Sequence, residues 1–211
     1  MKIKPTIIKY LIVFISVVTS FTLNAQTDIE FYNQGEILRY QGEYLKAEQA
    51  YLSAIEINPN MFDAHIELAI IEYDYKKNYD NAINYLDYCL QNTKDADLLM
   101  RVYFEKGIIY SVLNEDKKSL KMFNKGISIN GVGEYKALLY AGRGYEIHYF
   151  SDELNNALAD FEESIKIHPT YEAFKARGEL FYSIENYEDA EKDFTKALSL
   201  DGDENILFYY R

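Results

Sequence analysis

Residues 152–169 have the sequence DELNNALADFEESIKIHP, and four other segments of the chain repeat its pattern. The four segments are GEYLKAEQAYLSAIEINP at 42–59, NYDNAINYLDYCLQN at 78–92, NEDKKSLKMFNKGISING at 114–131 and NYEDAEKDFTKALSLDG at 186–202. Each has a small residue, a large apolar residue four positions later, a second small residue after three more, and then an apolar residue. Spacings of four, three and one place these side chains on one face of an α-helix.

A second helical pattern precedes each of these segments. Its small residues recur at intervals of 34, 38, 37 and 34 positions, and they are Gly35, Ala69, Gly107, Gly144 and Gly178. An aromatic or imidazole ring lies four positions before each one, at Phe31, His65, Tyr103, Tyr140 and Phe174. A glycine inside a helix costs about 1 kcal/mol relative to alanine. Its recurrence in one register therefore predicts that two helix backbones approach closely there.

The two patterns together resemble the tetratricopeptide repeat (TPR), a helix–turn–helix unit of about 34 residues. The resemblance implies an all-α fold, a right-handed superhelical solenoid of about five such units over residues 26–204. The predicted repeats are 28–61, 62–96, 100–133, 137–170 and 171–204. The second repeat departs most from the pattern, because Ala69 replaces the glycine and Glu72 occupies an apolar position.

The N-terminus has the organisation of a secretory signal peptide. Lys2, Lys4 and Lys9 precede an apolar run over 11–18 and a more polar stretch that ends at Ala25. We expect cleavage after Ala25, so that residues 1–25 are a signal peptide and the mature protein is periplasmic or secreted in a bacterial setting. The alternative is an uncleaved anchor, because residues 10–27 carry no charge over about 18 positions.

The C-terminus, residues 205–211, reads NILFYYR and resembles the start of a further first helix or a truncated repeat. Solenoids usually finish on a polar cap, whereas this segment is apolar. We therefore expect the chain to be part of a longer protein. The alternative is a short helix that closes the fifth repeat.

Composition excludes several functions. The chain has 34 acidic and 22 basic residues and a net charge of −12, which argues against nucleic acid as a partner. Loss of the three signal lysines would change the net charge from −12 to −15. Such a protein is expected to favour a basic or neutral partner. One cysteine, Cys89, and three histidines on different repeats provide no metal-ligand cluster, so no metal, cofactor or catalytic residue is predicted.

The resemblance also implies where a partner would bind, because the first helix of each TPR unit lines the concave face of the solenoid. The residues that this geometry predicts for a binding groove are Tyr32, Tyr40, Ile66, Ile70, Tyr73, Phe104, Ile108, Tyr145, His148, Tyr149, Lys175 and Tyr182. Some of these side chains could instead pack between neighbouring first helices. Glu36 and Glu179 occupy positions where one TPR subtype carries a basic clamp for a peptide carboxylate, so that clamp is not expected here.

Three functions are consistent with the sequence. The first is a non-catalytic, exported protein–protein interaction scaffold that binds a peptide or partner segment in an aromatic groove. The second is the periplasmic sensor portion of a larger signalling protein, and the third is the targeting portion of an enzyme. In the second and third cases the output domain would lie beyond residue 211.

Overall fold

The computed structural model describes residues 27–151 and 153–200. The predicted signal peptide and the predicted further helix at 205–211 lie outside these residues. Ten α-helices, one π-helical turn and no strand are present in the described ranges, which confirms the all-α prediction. The helices are α1 (27–40), α2 (Tyr44–Ile57), α3 (Phe62–Ile70), α4 (Tyr79–Asn92), α5 (Ala96–Val112), α6 (Asp116–Ile127), α7 (Glu134–Phe150), α8 (Leu154–Ile167), α9 (Tyr171–Ser183) and α10 (Tyr187–Leu200).

The chain divides into two compact units. The first unit contains α1 to α4, and the second contains α5 to α10. Within the second unit α5 packs against α6, α7 against α8, and α9 against α10. The first helices also pack in sequence, α5 against α7 and α7 against α9. The second unit therefore consists of three helical hairpins whose first helices are neighbours.

The turn inside four of the hairpins uses a left-handed residue. These residues are Gly42, Lys77, Asn114 and Glu185, with φ of 76°, 56°, 55° and 63°. A left-handed residue stops the first helix and reverses the chain within a short turn. Between hairpins, side-chain caps start the next helix: Asp95 accepts from the Leu98 amide at 2.9 Å, and Thr170 accepts from the Ala173 amide at 3.2 Å.

The glycines inside the first helices are covered by rings, which corrects the prediction of two closely approaching backbones. A Cβ on Gly107 would lie 2.3 Å from a ring carbon of Phe123, and one on Gly178 would lie 2.7 Å from Phe194. The same relation holds between Gly35 and the Tyr51 ring, at 2.5 Å. The glycine of the first helix therefore leaves the space that the large residue of the second helix occupies. At Gly144 a backbone oxygen, that of Ala157, is also close at 3.2 Å.

The second repeat compensates for its irregular sequence. Where other repeats pair glycine with a ring, it has Ala69 and the smaller Leu86, both fully buried. Helix α3 ends in one π-helical turn, Ile71–Tyr75, that contains the buried Glu72. Lys76 Nζ lies 3.1 Å from Glu72 Oε1 and 2.6 Å from Glu48 Oε1. The acidic residue that the sequence placed at an apolar position is thus paired with a lysine one turn later.

Candidate functional site

The strongest candidate site is a group of tyrosines on α7. The rings of Tyr145 and Tyr149 have centroids 4.4 Å apart, and the His148 ring meets Tyr149 at 4.8 Å in an edge-on arrangement. Tyr149 is 51% exposed and Tyr145 is 38% exposed. These positions are one helical turn apart, so the spacing of four in the sequence brings the two tyrosines onto one face.

Helix α9 adds the second half of this site. The Tyr149 hydroxyl lies 3.5 Å from Oε2 of Glu179, which joins the first helices of the fourth and fifth repeats. Lys175 lies one turn before Glu179, with its Nζ 3.8 Å from Oε1. Tyr182 is 61% exposed and contacts Tyr187 at a ring distance of 5.4 Å. We call Tyr145, His148, Tyr149, Lys175, Glu179 and Tyr182 the tyrosine face.

Burial and the Glu179 carboxylate shape the electrostatics of the tyrosine face. Burial raises the pKa of Tyr149 to about 12, and the neighbouring Glu179 charge acts in the same direction. Burial lowers the pKa of His148, although Glu179 opposes this shift. At neutral pH the tyrosine is therefore a neutral phenol and the imidazole is uncharged, which leaves Glu179 as the acidic group of the site.

Other residues predicted for the groove are buried. Ile66, Tyr73 and Phe104 are 0%, 6% and 3% exposed, and Phe104 packs against the Phe123 ring at 6.3 Å. The half-buried residues are Tyr32, Ile70 and Ile108. Helical periodicity identified the face of each helix but could not show how much of it the next helix covers.

Tyr40 lies in the first unit and is 67% exposed. The Arg39 guanidinium lies 5.0 Å from the centre of its ring. Arg39 also contacts Glu36 at 3.2 Å and the buried Glu67 at 3.3 Å. One face of this tyrosine is therefore already occupied by a cation from its own unit.

A basic face on α6 was not predicted from the sequence. Lys117, Lys121 and Lys125 line a shallow concavity of about 530 Å³ together with Leu120, Asn124 and Ser128. The lysines recur every four residues, so they share one side of the helix. A charge count along each helix could have found this face in an otherwise acidic chain.

Cys89 and His65 are buried and make contacts within the helical core. Cys89 is fully buried, with its sulfur 3.8 Å from the Phe62 carbonyl oxygen. His65 is buried, stacks on Tyr88 at 4.4 Å and has Nε2 2.9 Å from the Pro59 oxygen. Within the described residues no group of three or more His, Cys, Asp or Glu side chains could hold a metal ion.

Comparison with known proteins finds the tetratricopeptide repeat at two places in the chain. Residues 29–61 and 172–204 match the tetratricopeptide repeat family. Human tetratricopeptide repeat protein 6 is 22% identical over 167 residues, which cover 79% of this chain and 30% of that relative. The chain thus spans less than a third of the length of this curated relative.

Solved structures share the same fold. PilF of Pseudomonas aeruginosa aligns with a TM-score of 0.70 at 15% identity, over 85% of this chain and 79% of PilF. A tetratricopeptide repeat protein of Parabacteroides merdae aligns with a TM-score of 0.67 at 25% identity, over 92% of this chain and 73% of the other. The chain therefore has a TPR fold, which is typical of scaffolds for protein–protein interaction.

Among the helices of the described residues, none has the length and apolar character needed to cross a membrane.

Proposed function

We propose that this protein is an exported, non-catalytic scaffold that binds a peptide or partner segment on the tyrosine face of α7 and α9. The observation that carries the proposal is the exposure of Tyr149 beside Glu179, where two neighbouring first helices meet. Tyrosine gives a large contact area at a small cost in conformational entropy, and such residues dominate protein interfaces.

The site is suited to binding an extended segment. Exposed rings at Tyr145, Tyr149 and Tyr182 offer apolar contacts, while Lys175 and Glu179 can form hydrogen bonds at the rim. The TPR fold supports this use, since its repeats present successive first helices to one partner. Export rests on the signal-like order of residues 1–25, and the net charge favours a basic or neutral partner.

Photo-crosslinking in cells tests the binding face. p-Benzoylphenylalanine is placed at position 149 or 182, and the control position is 198, where Leu198 is 68% exposed on the second helix α10. We expect one reproducible adduct from positions 149 and 182 and none from 198. Joint substitution of Tyr145→Ala and Tyr149→Ala should abolish binding of the partner so identified. Equal labelling from all three positions would contradict the proposal.

Mass spectrometry of the protein from its host tests export. Cleavage after Ala25 gives a chain that begins at Gln26 and is found outside the cytoplasm. A cytoplasmic protein that retains Met1 or Lys2 would exclude the signal-peptide assignment and leave the binding face unaffected.

A further inference from the structure

We propose that the Tyr145–Tyr149 ring pair and Glu179 bind a cationic side chain of the partner segment, with arginine preferred. The proposal rests on the proposed function and specifies the chemistry of the segment that the tyrosine face recognises.

The chain repeatedly places its own cations over ring faces. In the described residues, a guanidinium or ammonium lies 5.0–5.8 Å from the ring centres of Tyr40, Tyr103, Tyr110, Tyr135, Tyr140, Phe174 and Phe181. A cation within about 6 Å of the ring centre is attracted by the negative face of the ring. Among the described residues no lysine or arginine occupies this position over Tyr145 or Tyr149.

A carboxylate lies beside this exposed ring pair. Glu179 Oε2 is 3.5 Å from the Tyr149 hydroxyl, and the Glu179 side chain is 34% exposed. The carboxylate lies at the hydroxyl edge of Tyr149, so the site combines an exposed ring surface for stacking with a hydrogen-bond acceptor for a cation. Arginine fits this combination best, because its planar guanidinium stacks on a ring while its edge donates to a carboxylate.

Lys175 competes with a cation of the partner for the Glu179 carboxylate. Its Nζ is 3.8 Å from Oε1, and its side chain is 47% exposed. Exposed ion pairs of this kind contribute little, so an incoming guanidinium can replace the lysine. This arrangement makes an unusual prediction, namely that removal of a positive charge from the site strengthens the binding of a cation.

NMR of the full chain with labelled tyrosine rings tests the proposal. The probes are N-acetyl-arginine amide and its uncharged isostere N-acetyl-citrulline amide. We expect saturable shifts of the Tyr145 and Tyr149 resonances with the arginine probe and binding at least about fivefold weaker with citrulline. Glu179→Gln should weaken arginine binding by about two- to fivefold, and Lys175→Ala should strengthen it by about twofold.

Tyr75→Leu is the matched control, since Tyr75 is 52% exposed and pairs with Tyr44 at 5.0 Å. This variant should leave arginine binding unchanged. Equal binding of arginine and citrulline, or weaker binding in Lys175→Ala, would overturn the inference.

The two proposals fail separately. A partner that crosslinks at position 149, together with equal binding of the arginine and citrulline probes, would overturn the inference and leave the binding face intact. Selective binding of the arginine probe without any crosslinked partner would support the cation site and count against the scaffold.

Discussion

Arg143 on α7 holds Asp160 on α8 through two hydrogen bonds, from Nε to Oδ2 and from Nη2 to Oδ1, both 2.7 Å long. One repeat later Arg177 and Asp193 form the same pair at 2.7 and 2.8 Å. In each hairpin the arginine precedes the glycine of the first helix and the aspartate precedes the ring of the second. The ion pair and the glycine–ring contact therefore fix the same pair of helices side by side.

Asp160→Ala should lower the free energy of unfolding by about 1–3 kcal/mol, because it leaves Nε and Nη2 of the half-buried Arg143 guanidinium without an acceptor. Only Nη1 keeps its partner, Oδ1 of Asn124. Hydrogen bonding to Asp160 is the main reason that the pKa of Arg143 is raised. The arginine stays charged after the substitution as well, because a guanidinium without this partner is still protonated at neutral pH. Urea denaturation gives the measurement. Glu163→Ala removes an exposed pair with Lys166 and serves as the control, with an expected loss below about 0.5 kcal/mol. Equal losses would contradict the structural role of the buried pair.

The glycine–ring contact predicts a compensating pair of substitutions. Gly178→Ala should destabilise the protein by about 1–3 kcal/mol, because the new Cβ would lie 2.7 Å from a carbon of the Phe194 ring. Adding Phe194→Leu recreates the combination found at Ala69 and Leu86. The double variant should then recover part of the loss caused by the alanine. Thermal unfolding of a double-mutant cycle checks this coupling, and strictly additive effects would argue against it.

The larger change Gly107→Leu should be more severe. A Cβ alone at this position would lie 2.3 Å from the Phe123 ring, and leucine adds three more carbons. We expect a loss of about 3 kcal/mol or more, at or above the upper end of the range typical of overpacked cores. An unchanged melting temperature would contradict the assigned register of the third repeat.

Glu146 should make stability depend on pH. Burial raises the pKa of this carboxyl, the Asp116 charge acts the same way, and hydrogen bonds with Ser111 and Ser119 oppose the shift. An acid whose pKa is higher in the folded state binds more protons when folded. Its unfavourable contribution is therefore absent below the unfolded pKa, grows as pH rises from the unfolded pKa to the raised folded pKa, and is complete above the folded pKa.

Replacement by Glu146→Gln should accordingly raise the melting temperature at pH 7 and have little effect near pH 4. Thermal scans between pH 4 and 8 provide the comparison. A variant that loses as much stability at pH 4 as at pH 7 would show that packing, rather than ionisation, dominates at this site.

The turn before α10 offers a stabilising substitution. Glu185 adopts φ of 63°, a region that costs a residue with a side chain about 1–2 kcal/mol. Gly42, in the equivalent turn of the first hairpin, meets no such penalty. Glu185→Gly should therefore stabilise the protein by about 0.5–1 kcal/mol, whereas Glu185→Ala should give no gain. Chemical denaturation distinguishes the two variants.

Much of the fold could be predicted from the sequence because it depends on local periodicity. Spacings of three and four residues identify helix faces, and the recurrence of glycine identified the register of the first helices. The contact that these glycines make was predicted incorrectly, since a spacing rule within one helix does not show which atom of the next helix covers it. The π-helical turn at Ile71–Tyr75 likewise had no sequence signal beyond the acidic Glu72.

The site was predicted less well, for the same physical reason. The exposed residues Tyr145, Tyr149 and Tyr182 and the buried residues Ile66 and Phe104 were all predicted for the same face of the first helices. Whether such a residue is covered depends on the side chains of neighbouring helices, and those contacts are not local in sequence. The Tyr149–Glu179 contact, across 30 positions, is of this kind.

The fit of a ring onto a glycine also defines which piece of this chain can be duplicated or exchanged. Gly178 accepts the ring of Phe194 from its own hairpin, and Gly35 accepts Tyr51 in the same way. A chimera junction inside a hairpin would separate a glycine from the ring that covers it, or would place a ring from another hairpin against Ala69. Junctions at the turns before α3 and α9 keep these pairs together, whereas a junction between α6 and α7 would separate Gly142 from the Phe123 ring that covers it. Chimeras joined at the Pro59 and Pro169 turns should therefore fold, whereas chimeras joined at Gly42 or Glu185 should fold only when the exchanged halves carry the same pair.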